Sequence, residues 1–127
     1  MAEPPRRADA ERGKTWDYLG IRNLRLGRWD AAARAFSHAA ETAPSPRILL
    51  EWGTAEMRRR NWAEARDLFR RVLATSPEEA HAWQGLTATA MELGDRAEAR
   101  RAAETLERLR PGDAVARQTL ERLGAAP

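Results

Sequence analysis

The feature that most restricts this chain is internal repetition: three segments carry the same kinds of side chain at the same spacing. The first runs Trp16-x-x-Leu19-Gly20, then Gly27-Arg28-Trp29-x-x-Ala32-x-x-x-Phe36-x-x-Ala39, and closes at Pro44. The second runs Leu49-x-x-Trp52-Gly53, then Asn61-Trp62-x-x-Ala65-x-x-x-Phe69-x-x-Val72, and closes at Pro77. The third runs Trp83-x-x-Leu86-Thr87, then Gly94-Asp95-x-x-x-Ala99-x-x-x-Ala103-x-x-Leu106, and closes at Pro111. The closing prolines follow one another at 33 and 34 residues.

Within each unit the spacing is helical. Trp16, Leu19, Gly20 and Asn23 fall at i, i+3, i+4 and i+7, one face of a helix, and Ala32, Phe36 and Ala39 mark the face of the next. Gly20 and Gly53 are expected opposite Ala32 and Ala65, so that paired helices approach closely while Trp and Phe fill the space around them. Capping residues set the boundaries. Ser76-Pro77-Glu78-Glu79 reads as a capping box with Pro at the first helical position, and Asn61-x-x-Glu64 and Asp95-x-x-Glu98 repeat the box. Ser45-Pro46 and Gly112-Asp113 mark two further starts, and Gly27 and Gly94 sit where a helix must end in a left-handed turn. The reading is all-α, with seven helices near residues 9–26, 29–43, 46–60, 62–75, 77–93, 96–109 and 113–123. The last places Ala116, Leu120 and Leu123 on one stripe, as an end helix covering the final repeat should.

These segments resemble the tetratricopeptide repeat family from about Gly13 to Pro111. Trp29 and Trp62 stand where that family usually has Tyr, Arg96 stands there in the third repeat, Arg60 replaces a turn Gly, and Ala103 replaces a large aromatic, which should loosen the packing there. The resemblance implies a right-handed α-solenoid of three helix-turn-helix repeats with a seventh capping helix. It divides the chain into a flexible extension over 1–8, one domain over 9–124 (repeats about 13–45, 46–79 and 80–113, capping helix 113–123) and a tail over 125–127.

The resemblance also implies a function: a non-catalytic module for protein–protein interaction, serving as adaptor, assembly scaffold or chaperone-like factor. In that family the first helices of successive repeats line a concave groove. By register the groove here carries Lys14, Asp17, Ile21, Leu24 and Arg25, then Arg47, Leu50, Thr54, Met57 and Arg58, then His81, Gln84, Ala88, Met91 and Glu92. An apolar floor of Ile21, Leu24, Leu50, Met57 and Met91 flanked by Lys14, Arg25, Arg47 and Arg58 suits an apolar or amphipathic peptide with some acidic character. The competing reading is that Leu24, Met57 and Met91 pack within the helix pairs. Some family members grip an acidic chaperone tail with a Lys/Asn/Arg clamp. The corresponding positions here hold Asp17, Ile21, Glu51, His81 and Gly85, so no clamp is expected, and Asp17 and Glu51 should repel such a tail. Three-repeat bacterial secretion chaperones share the general shape, but no motif specific to them is present.

The remaining composition narrows the chemistry. There is no Cys, and the two His residues, His38 and His81, have no ligand-spaced partner, so neither a metal, a cofactor nor an enzyme activity is expected. The glycines sit singly, without a phosphate loop. Glu78-Glu79 reads as negative charge at a helix N-terminus rather than an acid–base pair. Arg58, Arg59, Arg60, Arg66, Arg70 and Arg71 form the densest basic cluster and a candidate anion patch. The alternative is cations favoured at a helix C-terminus, with Glu64 and Asp67 paired to Arg70 and Arg71. A net charge of +3 with 19 acidic residues interspersed is a weak nucleic-acid signal, and binding of nucleic acid or another anionic partner by this Arg-rich surface is the alternative function. Self-association through the convex face or the last helix stays open. No apolar run reaches membrane-spanning length and no secretory signal is visible, so the expected location is the cytoplasm.

Overall fold

A computed structural model describes residues 15–125. It contains α1 (Trp16–Arg25), α2 (Trp29–Thr42), α3 (Pro46–Arg58), α4 (Trp62–Thr75), α5 (Ala80–Glu92), α6 (Arg96–Leu109) and α7 (Ala114–Ala125), with no strand among the described residues. The stretch of the first expected helix before Thr15 lies outside them. Helices pair in sequence as hairpins α1–α2, α3–α4 and α5–α6, and α7 packs on both α5 and α6.

The turn inside each hairpin is the same device three times. After α1 the amide of Gly27 bonds to the Leu24 carbonyl at 3.1 Å and that of Arg28 to Asn23 at 2.8 Å. After α3, Arg60 bonds to Met57 at 3.0 Å and Asn61 to Glu56 at 2.9 Å; after α5, Gly94 bonds to Met91 at 3.1 Å and Asp95 to Ala90 at 2.9 Å. This pair of hydrogen bonds closes a helix only when the residue after the cap is left-handed. Gly27 (φ +74°) and Gly94 (φ +76°) meet that condition, and Arg60 is forced into it at φ +66°.

Packing corrects the expected partner of the helical glycines. A Cβ on Gly20 would lie 2.6 Å from Phe36, and one on Gly53 would lie 2.9 Å from Phe69, so the glycines receive the phenyl rings themselves rather than Ala32 and Ala65. Phe69 is also overlain by Gly85 of the following hairpin, where a Cβ would collide with the ring. Each phenyl therefore locks its own hairpin, and Phe69 locks the next hairpin too. Both rings are fully buried. In the third repeat the pair at the same register is Thr87 and Ala103, again fully buried. A larger residue where Gly stood partly fills the space left by the smaller one where Phe stood, so the expected looseness is reduced.

One helix start and two capping boxes differ from expectation. Ser76–Glu79 is a turn (Glu79 amide to Ser76 carbonyl, 3.1 Å), and α5 begins at Ala80 with the Glu79 carboxylate accepting from the His81 amide at 3.1 Å. The carbonyl of Pro77, which a helix starting there would use, instead accepts the Trp83 indole N–H at 2.7 Å. Asn61 makes no side-chain cap, whereas Asp95 at the same register accepts from the Glu98 amide at 3.0 Å. A carboxylate is the better acceptor against the positive end of a helix. The Glu98 side chain completes no box; it reaches Arg70. Ser45 and Asp113 cap as expected, bonding the amides of Ile48 (3.1 Å) and Ala116 (3.0 Å).

Candidate functional site

The first helices of the hairpins form one continuous layer. α1 touches α3, α3 touches α5 and α5 touches α7, while no backbone contact joins α2 to α4 or α4 to α6. Closer approach on one side bends the stack towards the first-helix layer. Along that layer Ile21, Thr54 and Ala88 occupy the same register in α1, α3 and α5, each half-buried.

Charged groups of α1, α3 and α5 meet there. Arg47 of α3 is hydrogen-bonded to Asp17 of α1, and that bond raises the Arg47 pKa further. Burial pushes the Glu51 carboxyl above its ordinary range, Asp17 adding to the push, while Arg47, His81 and Arg25 oppose it. The His81 ring lies 3.2 Å from the Glu79 carboxylate. Asp17 is thus paired with Arg47 rather than free to meet an acidic tail.

The other expected groove residues divide into two sets. Arg25, Arg47, Arg58 and His81 are exposed or half-exposed at the edge of the layer. Ile21 and Leu24 pack against the cluster of Ala32, Ala33, Phe36 and Ala55. Leu50 and Met57 pack against the central cluster around Leu68 and Phe69, and Met91 against Ala90, Ala99 and Leu123. The apolar floor is therefore only half offered to a guest. The Thr54 hydroxyl donates to the Leu50 carbonyl at 3.0 Å and Gln84 donates to Asp113 at 2.8 Å. Glu92 is exposed and Lys14 lies outside the described residues.

The six arginines of the anion patch do not converge on one site. Arg58 lies over the Trp29 ring at 5.6 Å, and with Arg60, Met57, Trp62, Ala88 and Glu92 it lines a depression of about 380 Å³. Arg59 bonds Asp30 and Glu56, each at 2.8 Å. Arg70 bonds Glu98 at 2.9 and 2.7 Å, which replaces the expected pairing with Glu64 or Asp67. The Arg66 Nε is buried without a partner, and Arg71 is exposed on α4. The stripe of the last helix is taken up internally, with Ala116 and Leu123 buried against the stack.

Sequence reasoning missed the polar and aromatic contacts made between helices, and two of them show why. The Arg70–Glu98 bond joins residues 28 apart in successive hairpins, which helical spacing rules do not reach. Trp16 stacks on His38, centroids 4.3 Å apart, and only the shared end of one hairpin suggests it. Among the described residues no cluster of His, Cys, Asp and Glu has the geometry to hold a metal, and no helix is long and apolar enough to cross a membrane.

Stacked hairpins with a recurring Schellman turn and a glycine–phenyl lock define an α-solenoid of helical pairs. Models of the family described as tetratricopeptide repeat match residues 19–80 and 56–124, and the chain belongs to that family. No curated protein matches the sequence. Solved structures share the fold. The first TPR of Spaghetti (RPAP3) bound to the HSP90 peptide SRMEEVD is similar with TM-score 0.81 and 19% identity, over 86% of this chain and 87% of that one. The Arabidopsis OM64 TPR domain gives 0.81 and 15%, over 85% and 90%. PcrH in complex with the chaperone binding region of PopB gives 0.71 and 18%, over 87% and 90%.

Proposed function

We propose that this protein is a non-catalytic polypeptide-binding module that takes a segment of another protein along the layer of α1, α3 and α5. The observation that supports it is the partly exposed row Ile21–Thr54–Ala88 at one register of α1, α3 and α5, with exposed Arg25, Arg58 and His81 on the same helices. Two of the similar structures hold polypeptides: an HSP90 peptide in one, the chaperone binding region of PopB in the other. The guest is apolar or amphipathic with some acidic character, since cations edge the row. It is not an acidic chaperone tail held by a clamp, because Asp17, Ile21, Glu51, His81 and Gly85 stand at the clamp positions, and Gly85 is buried against Phe69. The working unit is one domain over 9–124, acting as adaptor, scaffold or chaperone-like factor.

Substituting Leu50 and Met57 would disturb the core they touch, so Thr54→Gln with Ala88→Gln is the cleaner test. Affinity capture from native lysate with mass spectrometry should recover a partner with the unaltered protein and lose it with the double variant, while circular dichroism stays the same. Equal recovery by both would reject the row as the site.

A further inference from the structure

The two ends of the stack are unlike. Residues 18 and 22 of α1 correspond by register to 51 and 55 of α3 and to 85 and 89 of α5. In the later hairpins this is the face that stacks on the preceding hairpin. Ala55 is buried in one cluster with Ala32, Ala33 and Phe36 of the first hairpin; Gly85 lies against Phe69 of the second; Thr89 is fully buried. In α1 the same positions hold Tyr18 and Arg22, and no described element covers them. Tyr18 is 43% exposed and Leu26 is 54% exposed, both high for large apolar groups. With Ile21, Arg22 and Arg25 they line a depression of about 510 Å³.

The chemistry of this face selects its occupant. A further hairpin stacked in the usual way would bury Arg22 where Ala55 and Thr89 are sealed, leaving a guanidinium without a counter-ion. A second copy related by a two-fold axis would set Arg22 and Arg25 against themselves. Residues 1–14 supply no large apolar side chain except Met1, and carry four basic residues against three acidic ones. An apolar patch of Tyr18, Ile21 and Leu26 with two arginines beside it is complemented by leucine-type side chains alternating with carboxylates on one helical face.

We infer that this end face is a second docking surface, which takes an acidic amphipathic helix of a partner protein. It shares Ile21 and Arg25 with the first-helix row and is set apart from it by Tyr18, Arg22 and Leu26. The helix lies across α1 with apolar side chains on Tyr18 and Leu26 and carboxylates on Arg22 and Arg25.

The probe is a synthetic amphipathic helix with leucine on one face and glutamate beside it, set against a counterpart with lysine in place of glutamate. Binding is read by fluorescence anisotropy on the full chain. The glutamate helix should bind at least about tenfold more tightly than the lysine helix, a difference of about 1.4 kcal/mol. Tyr18→Ser with Leu26→Ser should weaken both helices, and Arg22→Glu with Arg25→Glu should invert the preference. Thr54→Gln with Ala88→Gln should leave the glutamate helix bound, which separates failure of this surface from failure of the first-helix row. All substitutions at the end face are at exposed or half-buried positions, and circular dichroism verifies folding. No binding, equal binding of the two helices, or loss of binding in the Thr54/Ala88 variant would overturn the assignment. So would tighter binding on deletion of residues 1–14, or a dimer that Tyr18→Ser with Leu26→Ser disperses.

Discussion

Phe36 and Phe69 each fill a slot that exists because glycine stands opposite, so the phenyl and the missing Cβ are one feature seen from two helices. Phe69→Ala should cost about 3–5 kcal/mol in urea unfolding, because the slot is shared by two hairpins and cannot collapse from both sides. Arg60 is the converse case. Its left-handed backbone is imposed by the turn, and in the other two hairpins glycine occupies that place. Arg60→Gly should raise the unfolding free energy by about 1 kcal/mol in the same experiment. The left-handed turn is legible from Gly27 and Gly94. The target of Gly20 and Gly53 is not, because a 3.6-residue period fixes which face a glycine is on but not which side chain of the neighbour reaches it.

Helix boundaries are legible wherever a cap competes with nothing. Ser45 and Asp113 behave as local sequence dictates. Pro77 does not, because the Trp83 indole takes its carbonyl, a tertiary bond that no local motif announces. Asp113 serves two helices at once. It caps α7 and accepts from Gln84 of α5, so the end helix is pinned at its first turn. Burial alone would raise its pKa, yet hydrogen bonds from the Ala116 amide and Gln84 hold the carboxyl below its ordinary value. That stability is present above the ordinary carboxyl range and is lost as pH falls through the depressed value. Asp113→Ala should lower stability by about 1 kcal/mol at neutral pH, and thermal melts should show the difference shrinking in strong acid.

For the whole molecule, the repeat makes the stack legible from Trp16 to Pro111, but not the contest for its apolar residues. Leu50, Met57 and Met91 serve the core and the inner layer at once, and sequence cannot divide one side chain between two neighbours. Charge on that layer behaves likewise. Glu51 is held between Arg47, Asp17 and His81 with its pKa raised by burial. A folded-state carboxyl above its unfolded value weakens the fold as pH rises from the ordinary 4.5 through the raised value. Glu51→Gln should therefore raise the melting temperature at neutral pH and leave it unchanged in acid below that window.

A polypeptide lying along α1, α3 and α5 is tested most directly by photo-cross-linking in native lysate. A benzophenone amino acid is placed at Thr54 or, separately, at Arg71 on α4. Cross-linked partner is expected from position 54 and not from position 71. Cross-linking from position 71 alone would contradict the groove.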